Sequence, residues 1–436
     1  MKLRNLLYAT MIACAFASCS KDEVIPTPGT EPEAEGDATL SLQVFGSVDT
    51  KSNPFGTAVT DSTINTLTAY VFRSSDGSTT NYVFEKSQAA TNASDKKVEK
   101  IPVTAGMKKV IVLANATVTL TAGTSTLENL CAQTLTYSTA EVNGLSMNSA
   151  VYTLYVKAGE ENCLGYTTKP TGAIDATVSA ESATAVATSP IYLYRNVAKV
   201  MLSEVKMKTG SEAKYPNASL KIDSVYILHA RKYSNLAANN SISGQGWGAT
   251  AVKVGDVANY LNGVSGDLYQ KWATFMNGKA AVKTYFGTAT NNYDGEKVVS
   301  LGEAVSNFTA TKTSSVSKVD SFYVYENPAV QGGDTTLLVV VGKFYPDGNT
   351  NATNVDYSYY TVGIGTDGLG STAKPAGTLV SRDIAGVLRN LEYRISLTVN
   401  GPGYETPFGP KLDDYTFLDV ECVVAPFGTV GQSVEI

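Results

Sequence analysis

Histidine is almost missing from this chain: His229 is the only one in 436 residues. Any centre built on two imidazoles, whether a zinc site or a paired acid and base, is therefore excluded. Lys and Arg together number 34 against 40 Asp and Glu, a net charge of −6, so no polycationic surface exists to release counterions on nucleic acid. Nucleic acid is not an expected partner. Five cysteines occur without a CxxC spacing, so no disulfide framework is encoded. Catalytic motifs are missing too. No GxSxG sits in a strand-turn-helix context, and His229 follows an alternating strand where a structural histidine fits better than a general base. Gly363-Ile364-Gly365 and Gly368-Leu369-Gly370 lack the helix and Lys of a phosphate loop, and Asp413-Asp414 lacks further oxygen ligands for calcium. The expectation is a non-enzyme with no cofactor and no metal.

What is present is the palette of pleated surfaces. Tyr at 25 exceeds Phe at 13 and Trp at 2, with 37 Gly and abundant Thr, Ser and Val. Strand patterns recur: Thr39 to Phe45 puts Leu40, Leu42 and Val44 on one face, followed by INTLTAYVF, KVIVLA and VYTLYV. Small residues between Gly172 and Pro190 read as a junction. After them come IYLYRNVAKVML, SLKIDSVYIL, SFYVYENP, TTLLVVVGKFY, YSYYTVGIG, LEYRISLTVN and DVECVVAP. Short helices are expected at Leu127 to Leu135 and Asp256 to Phe275. Many short strands without regular intervening helices predict an all-β chain of sandwich domains, 37–185 and 186–436. Cys131, Cys163 and Cys422 read as buried inert thiols, with a Cys131–Cys163 bridge as the alternative.

The first residues set the compartment. Lys2 and Arg4 precede an apolar stretch, Leu6 to Ala17, too short to span a bilayer, and Phe16-Ala17-Ser18 leads into Cys19. This is the layout of a lipoprotein signal, 1–18, in which the Cys19 thiol is acylated and becomes the first residue. The alternative is an ordinary secretory signal. Residues 19–36, with PTPGTEPEAEG, have almost nothing to bury and read as a lipid-anchored tether.

The order of motifs along the body resembles the type V pilins, the fimbrillins of Bacteroidales. Val103-Thr104-Ala105-Gly106 before Lys109 to Asn115 is similar to the family's glycine turn and its strand closed by Ala-Asn. Ser146-Met147-Asn148-Ser149 follows. Tyr194-Arg195-Asn196-Val197-Ala198-Lys199 resembles the Arg-x-Val-Ala-Lys strand, and Arg389-Asn390-Leu391-Glu392-Tyr393 the Arg-Asn-x-x-Tyr segment. Val423-Val424-Ala425-Pro426-Phe427 stands where members carry Val-x-Pro-Trp.

The resemblance implies two transthyretin-like (Greek-key) sandwiches in tandem. It also implies export as an outer-membrane lipoprotein and polymerisation by strand exchange after proteolysis, giving a head-to-tail fimbria with copies of itself and other fimbrial subunits. The residues offer parts for each role. Leu40, Leu42 and Val44 make a displaceable strand, and the polar, turn-rich segment Gly46 to Pro54 a scissile loop. Val430, Val434 and Ile436 alternate as a donor strand, with Gln432 on the same face. Members cut by an Arg-specific protease carry Arg in the first loop, whereas here the first basic residue is Lys51 and the first Arg is Arg73. Lys51 is the expected cleavage site, because cutting at Arg73 would remove a second strand. Three alternatives stay open: Leu40 to Phe45 as a permanent edge strand, the tyrosines of YSYYTV as a sugar-stacking face of a glycan-binding lipoprotein, and a tip or anchor subunit.

Overall fold

The structure is a computed structural model. It describes residues 36–45, 63–75, 81–136, 144–237 (apart from 209–210, 212, 229 and 232), 299–300, 309–310, 315–327, 335–364, 386–405 and 418–426. The chain is all-β, as the alternating patterns require.

Four main sheets pair off around two cores. The first sheet runs in the order β10 (Ile174–Asp175), β9 (Glu161–Leu164), β1 (Ala38–Gln43), β4 (Lys97–Val103). Facing it are β11 (Leu193–Arg195), β7 (Met147–Ser149), β5 (Gly106–Ala114), β2 (Leu67–Ser74) and β3 (Tyr82–Ala89), with β8 (Tyr152–Val156) also on β5. Leu40, Leu42, Val71, Val98, Ile101, Val110, Val112 and Leu154 close the core between them. The third sheet orders β17 (Ser315–Tyr325), β12 (Val197–Met207), β20 (Leu391–Val399) and β21 (Leu418–Pro426). The fourth orders β15 (Val299–Ser300), β13 (Ser219–Leu228), β18 (Leu337–Tyr345) and β19 (Tyr357–Gly363), with β16 (Thr309–Ala310) on β13. Val200, Leu202, Leu220, Val225, Leu338, Val340, Tyr393 and Ile395 pack in this second core.

β5 reads as an unbroken apolar run because both of its faces are covered. Val110 and Val112 enter the first core, whereas Ile111 and Leu113 join a separate cluster with Tyr70, Phe72, Phe84 and Leu130. That cluster is roofed by α1 (Leu127–Cys131). Its capping box is made by Thr126, whose hydroxyl accepts from Asn129 N–H, and by Asn129, whose Oδ1 accepts from Thr126 N–H. The helix is shorter than the expected Leu127 to Leu135. Residues Thr134–Thr136 are taken instead into β6, which pairs with β14 (Tyr233–Asn235), so a tertiary ladder outcompetes helical propensity there. Leu236 and Ala237 follow β14 into the same cluster.

Candidate functional site

β1 is the element to which the sequence assigns a role, and its setting differs from that of an edge strand. It lies between β4, antiparallel, and β9, parallel, so both of its backbone edges are paired. The edge-strand alternative for Leu40 to Phe45 is corrected by this order. The physical reason is that four alternating apolar side chains, Ala38, Leu40, Leu42 and Val44, are all buried in the first core, which needs walls on both sides. Beyond the ladder, Val44 N–H donates to Lys96 O at 2.9 Å and Phe45 N–H to Ile191 O at 2.8 Å, and Ile191 N–H donates to Gln43 O at 3.0 Å. The Phe45 ring stacks on Tyr192 with centroids 5.5 Å apart. Gly165, at φ +78, lets the backbone pass: a Cβ there would come within 2.7 Å of Gln43 O.

Polar side chains also hold the strand, and sequence reasoning missed them. Ser41 faces away from the core yet is fully buried. Its hydroxyl donates to Glu161 Oε1 at 2.7 Å and accepts from Lys100 N–H at 2.9 Å. Asn162, also fully buried, has Nδ2 donating to Thr39 O at 3.3 Å, to Lys157 O at 3.0 Å and to Glu160 O at 3.1 Å. At the start of the strand, Asp37 Oδ1 accepts from Ala105 N–H and Asp37 O from Gly159 N–H. Cys163, the residue opposite Ser41 on β9, is a buried free thiol; burial, with Glu161 and Asp175 adding to it, pushes its pKa up to about 11. Cys131 is free and buried as well, so the two do not form a bridge.

The motifs that carried the resemblance converge in space. Arg389, fully buried, donates from Nη1 to Asn196 Oδ1 at 2.9 Å and Asn148 Oδ1 at 3.4 Å. From Nη2 it donates to Glu326 Oε1 at 2.8 Å, Ser234 Oγ at 3.0 Å and Asn235 O at 2.8 Å. Asn390 Oδ1 accepts from Arg195 N–H at 3.1 Å. The three segments Ser146 to Ser149, Tyr194 to Lys199 and Arg389 to Tyr393 are thus one buried polar hub where the two halves meet. Asn115, closing β5 at φ +56, accepts from Asn65 N–H and donates to Leu145 O, which explains the Ala-Asn ending.

Residues 38–195, which hold β1 and the strands around it, match the family model described as major fimbrial subunit protein (FimA). Curated relatives extend the likeness to the whole chain. The major fimbrium subunit FimA type-2 of Porphyromonas gingivalis is 26% identical over 457 residues, covering 100% of both chains. The type-4 subunit of strain ATCC BAA-308 / W83 is 27% identical, covering 99% of each.

Along its whole length the chain is similar to FimA major fimbrial subunits.

Solved structures agree on the fold. A fimbrilin of P. gingivalis W83 superposes with a TM-score of 0.54 at 22% identity, covering 91% of this chain and 99% of that one. A candidate cell adhesion protein of Parabacteroides distasonis ATCC 8503 gives 0.57 at 18% identity, covering 92% and 99%. The matched model and these relatives are described as major fimbrial subunits. Among the described residues, no group of three His, Cys, Asp or Glu could hold a metal.

Of the predicted site residues, Leu40, Leu42 and Val44 sit together in the first core. Cys19, Lys51, Val430, Val434 and Ile436 lie outside the described residues, as do the signal 1–18, the tether up to residue 35, His229, the 256–275 helix and Asp413-Asp414. Arg73 lies within β2, the inner strand of the facing sheet, opposite Val83 and Lys108. The tyrosines of YSYYTV make no sugar platform as a set, since Tyr359 and Tyr360 are buried and only Tyr357 is exposed.

Proposed function

We propose that this chain is a fimbrillin, a shaft subunit of a surface fimbria. In this reading it is exported on a lipid attached to Cys19, held at the outer membrane by the 19–36 tether, and cut after β1 at or near Lys51. It then polymerises as the Val430, Val434 and Ile436 strand of one copy replaces β1 of the next. Two sandwich domains, with the chain crossing from β11 to β12 at Asn196, build each repeat. The observation that carries the proposal is the interior position of β1: removing it opens a slot with a strand edge on either side.

Magnitudes make the order of events explicit. Leu40, Leu42 and Val44 are each worth about 1.5–3 kcal/mol when buried, and each ladder bond adds roughly 1 kcal/mol net, so an open slot is unstable and takes up a matching strand. While β1 stays covalently attached, its effective concentration excludes any incoming strand. Cutting the loop removes that advantage. A donor that enters a neighbour's slot makes a head-to-tail contact, which propagates as an open filament. Cleavage at Arg73 would break an inner strand of the facing sheet, which favours the segment holding Lys51. The glycan-binding alternative is left with a single exposed tyrosine at β19.

N-terminal sequencing of subunits sheared from the cell surface tests the proposal. A start at or near Ser52 is expected, together with loss of filaments when the last nine residues are deleted. Filaments whose subunits still carry β1 would refute it.

A further inference from the structure

The slot reads more than apolar pattern, and this inference rests on the strand-exchange proposal above. β4 carries a bulge against β1: Leu40 pairs with Ile101 and Leu42 with Val98, so Glu99 and Lys100 together oppose Ser41. Lys100 takes the left-handed conformation, φ +54, a strained choice for a residue with a side chain. The bulge turns the Lys100 N–H out of the ladder, and the Ser41 hydroxyl receives it at 2.9 Å. From the other rail, β9, the Glu161 carboxylate accepts the hydroxyl proton at 2.7 Å. One small hydroxyl side chain therefore satisfies a donor on β4 and an acceptor on β9 at once, at a fully buried position.

We propose that the Lys100 amide and the Glu161 carboxylate form a notch that selects, and sets the register of, any strand in the slot by requiring Ser or Thr opposite the bulge. The partner so recognised is a strand of a second copy with a hydroxyl out of phase with its apolar residues. A register slip by one residue would bring Leu40 or Leu42 to the notch, leaving the Lys100 amide and the Glu161 carboxylate without the hydroxyl between them, and would turn the apolar set to the wrong face. In sequence, Thr429 and Ser433 stand out of phase with Val430, Val434 and Ile436, the parity that Ser41 has relative to Leu40 and Leu42.

Two measurements on the full-length protein test this. In the first, amide hydrogen exchange is compared for wild type, Ser41→Ala, Ser41→Thr and Thr39→Ala. Ser41→Ala is expected to speed exchange of the Lys100 amide by about tenfold, equivalent to about 1.4 kcal/mol, with Ser41→Thr and Thr39→Ala close to wild type. An equal rise along all of β4 in Ser41→Ala, or no rise at Lys100, would overturn the notch. In the second, polymerisation after limited trypsin treatment is compared for wild type and the Thr429→Ala/Ser433→Ala double variant. The double variant is expected to polymerise about tenfold more slowly, and an unchanged rate would overturn the requirement on the incoming strand. If wild type itself forms no polymer, strand exchange falls, while the amide measurement still decides whether the notch holds the resident strand.

Discussion

β1 and β12 occupy the same place in their sheets. Each lies between an antiparallel and a parallel neighbour, β4 and β9 in one case, β17 and β20 in the other, and each has a register shift within its pairing. Even the residue skipped at the shift is Ser in both, Ser41 and Ser203. What separates them is length and what their ends are tied to. β1 has 6 residues against 11 in β12. β12 begins beside the Arg389 hub, where Asn390 N–H donates to Val197 O at 2.8 Å and Arg389 grips Asn196. β1 is fastened by exchangeable groups: alternating aliphatics, a bulge hydrogen bond, and the Phe45–Tyr192 stack. In the strand-exchange proposal β1 leaves and β12 stays, although each lies between two strands.

The largest expected effect breaks the comparison outright. Deleting 37–45 removes apolar burial worth roughly 5–9 kcal/mol, on the scale of a whole domain's stability of about 5–15 kcal/mol. Circular dichroism and denaturant unfolding should show the first sandwich lost in the isolated protein. A synthetic 36–46 peptide added during refolding should restore it. No peptide should rescue a deletion in β12, whose ends are locked.

Next comes the hub. Arg389→Ala leaves Glu326 buried without its guanidinium and is expected to cost about 3–5 kcal/mol in urea unfolding. Leu42→Ala should cost about 2–5 kcal/mol through the cavity it leaves, but only while β1 occupies the slot. If Leu42→Ala also destabilised a filament from which β1 had been cut, the slot would not be exchanging its occupant.

Thiol chemistry sharpens the picture further. Cys131 and Cys163 are both held up to about 11 from 9.0, chiefly by burial, so both favour the neutral thiol in the folded state. Their contribution to stability is complete below pH 9 and is lost as the pH rises through 11. In a Cys131→Ser/Cys422→Ser background, Cys163 should react slowly with a thiol reagent at pH 8, and at least tenfold faster once β1 leaves. A rate unchanged by strand release would mean that β9 stays covered. Smallest of all, Phe45→Ala removes one ring stack and should lower stability by about 0.5–1.5 kcal/mol, read as a shift of the urea midpoint.

Much of this was legible in the residues. Strand-length patterns marked β1, β2, β5, β8, β12, β13 and β17 to β21, by alternation where one face is buried and by an unbroken apolar run, as in β5, where both are. The helix at Leu127 was legible, yet its end was not, since Thr134–Thr136 are taken by β14, a partner about a hundred residues away. Ser41 looked like an ordinary outward residue of an alternating strand. Its burial depends on Glu161 and on a bulge in β4, which no local pattern announces.

The sequence by itself determined the all-β class, the apolar face of Leu40, Leu42 and Val44, and the motif order that resembles the fimbrillins, since each is written in short-range spacing. Only the tertiary structure decided that β1 lies inside its sheet and that Arg389 gathers Asn148, Asn196, Ser234 and Glu326. Strand order and buried polar partners depend on which distant segments meet. Meeting is settled by how the two cores close, not by any stretch of chain read alone.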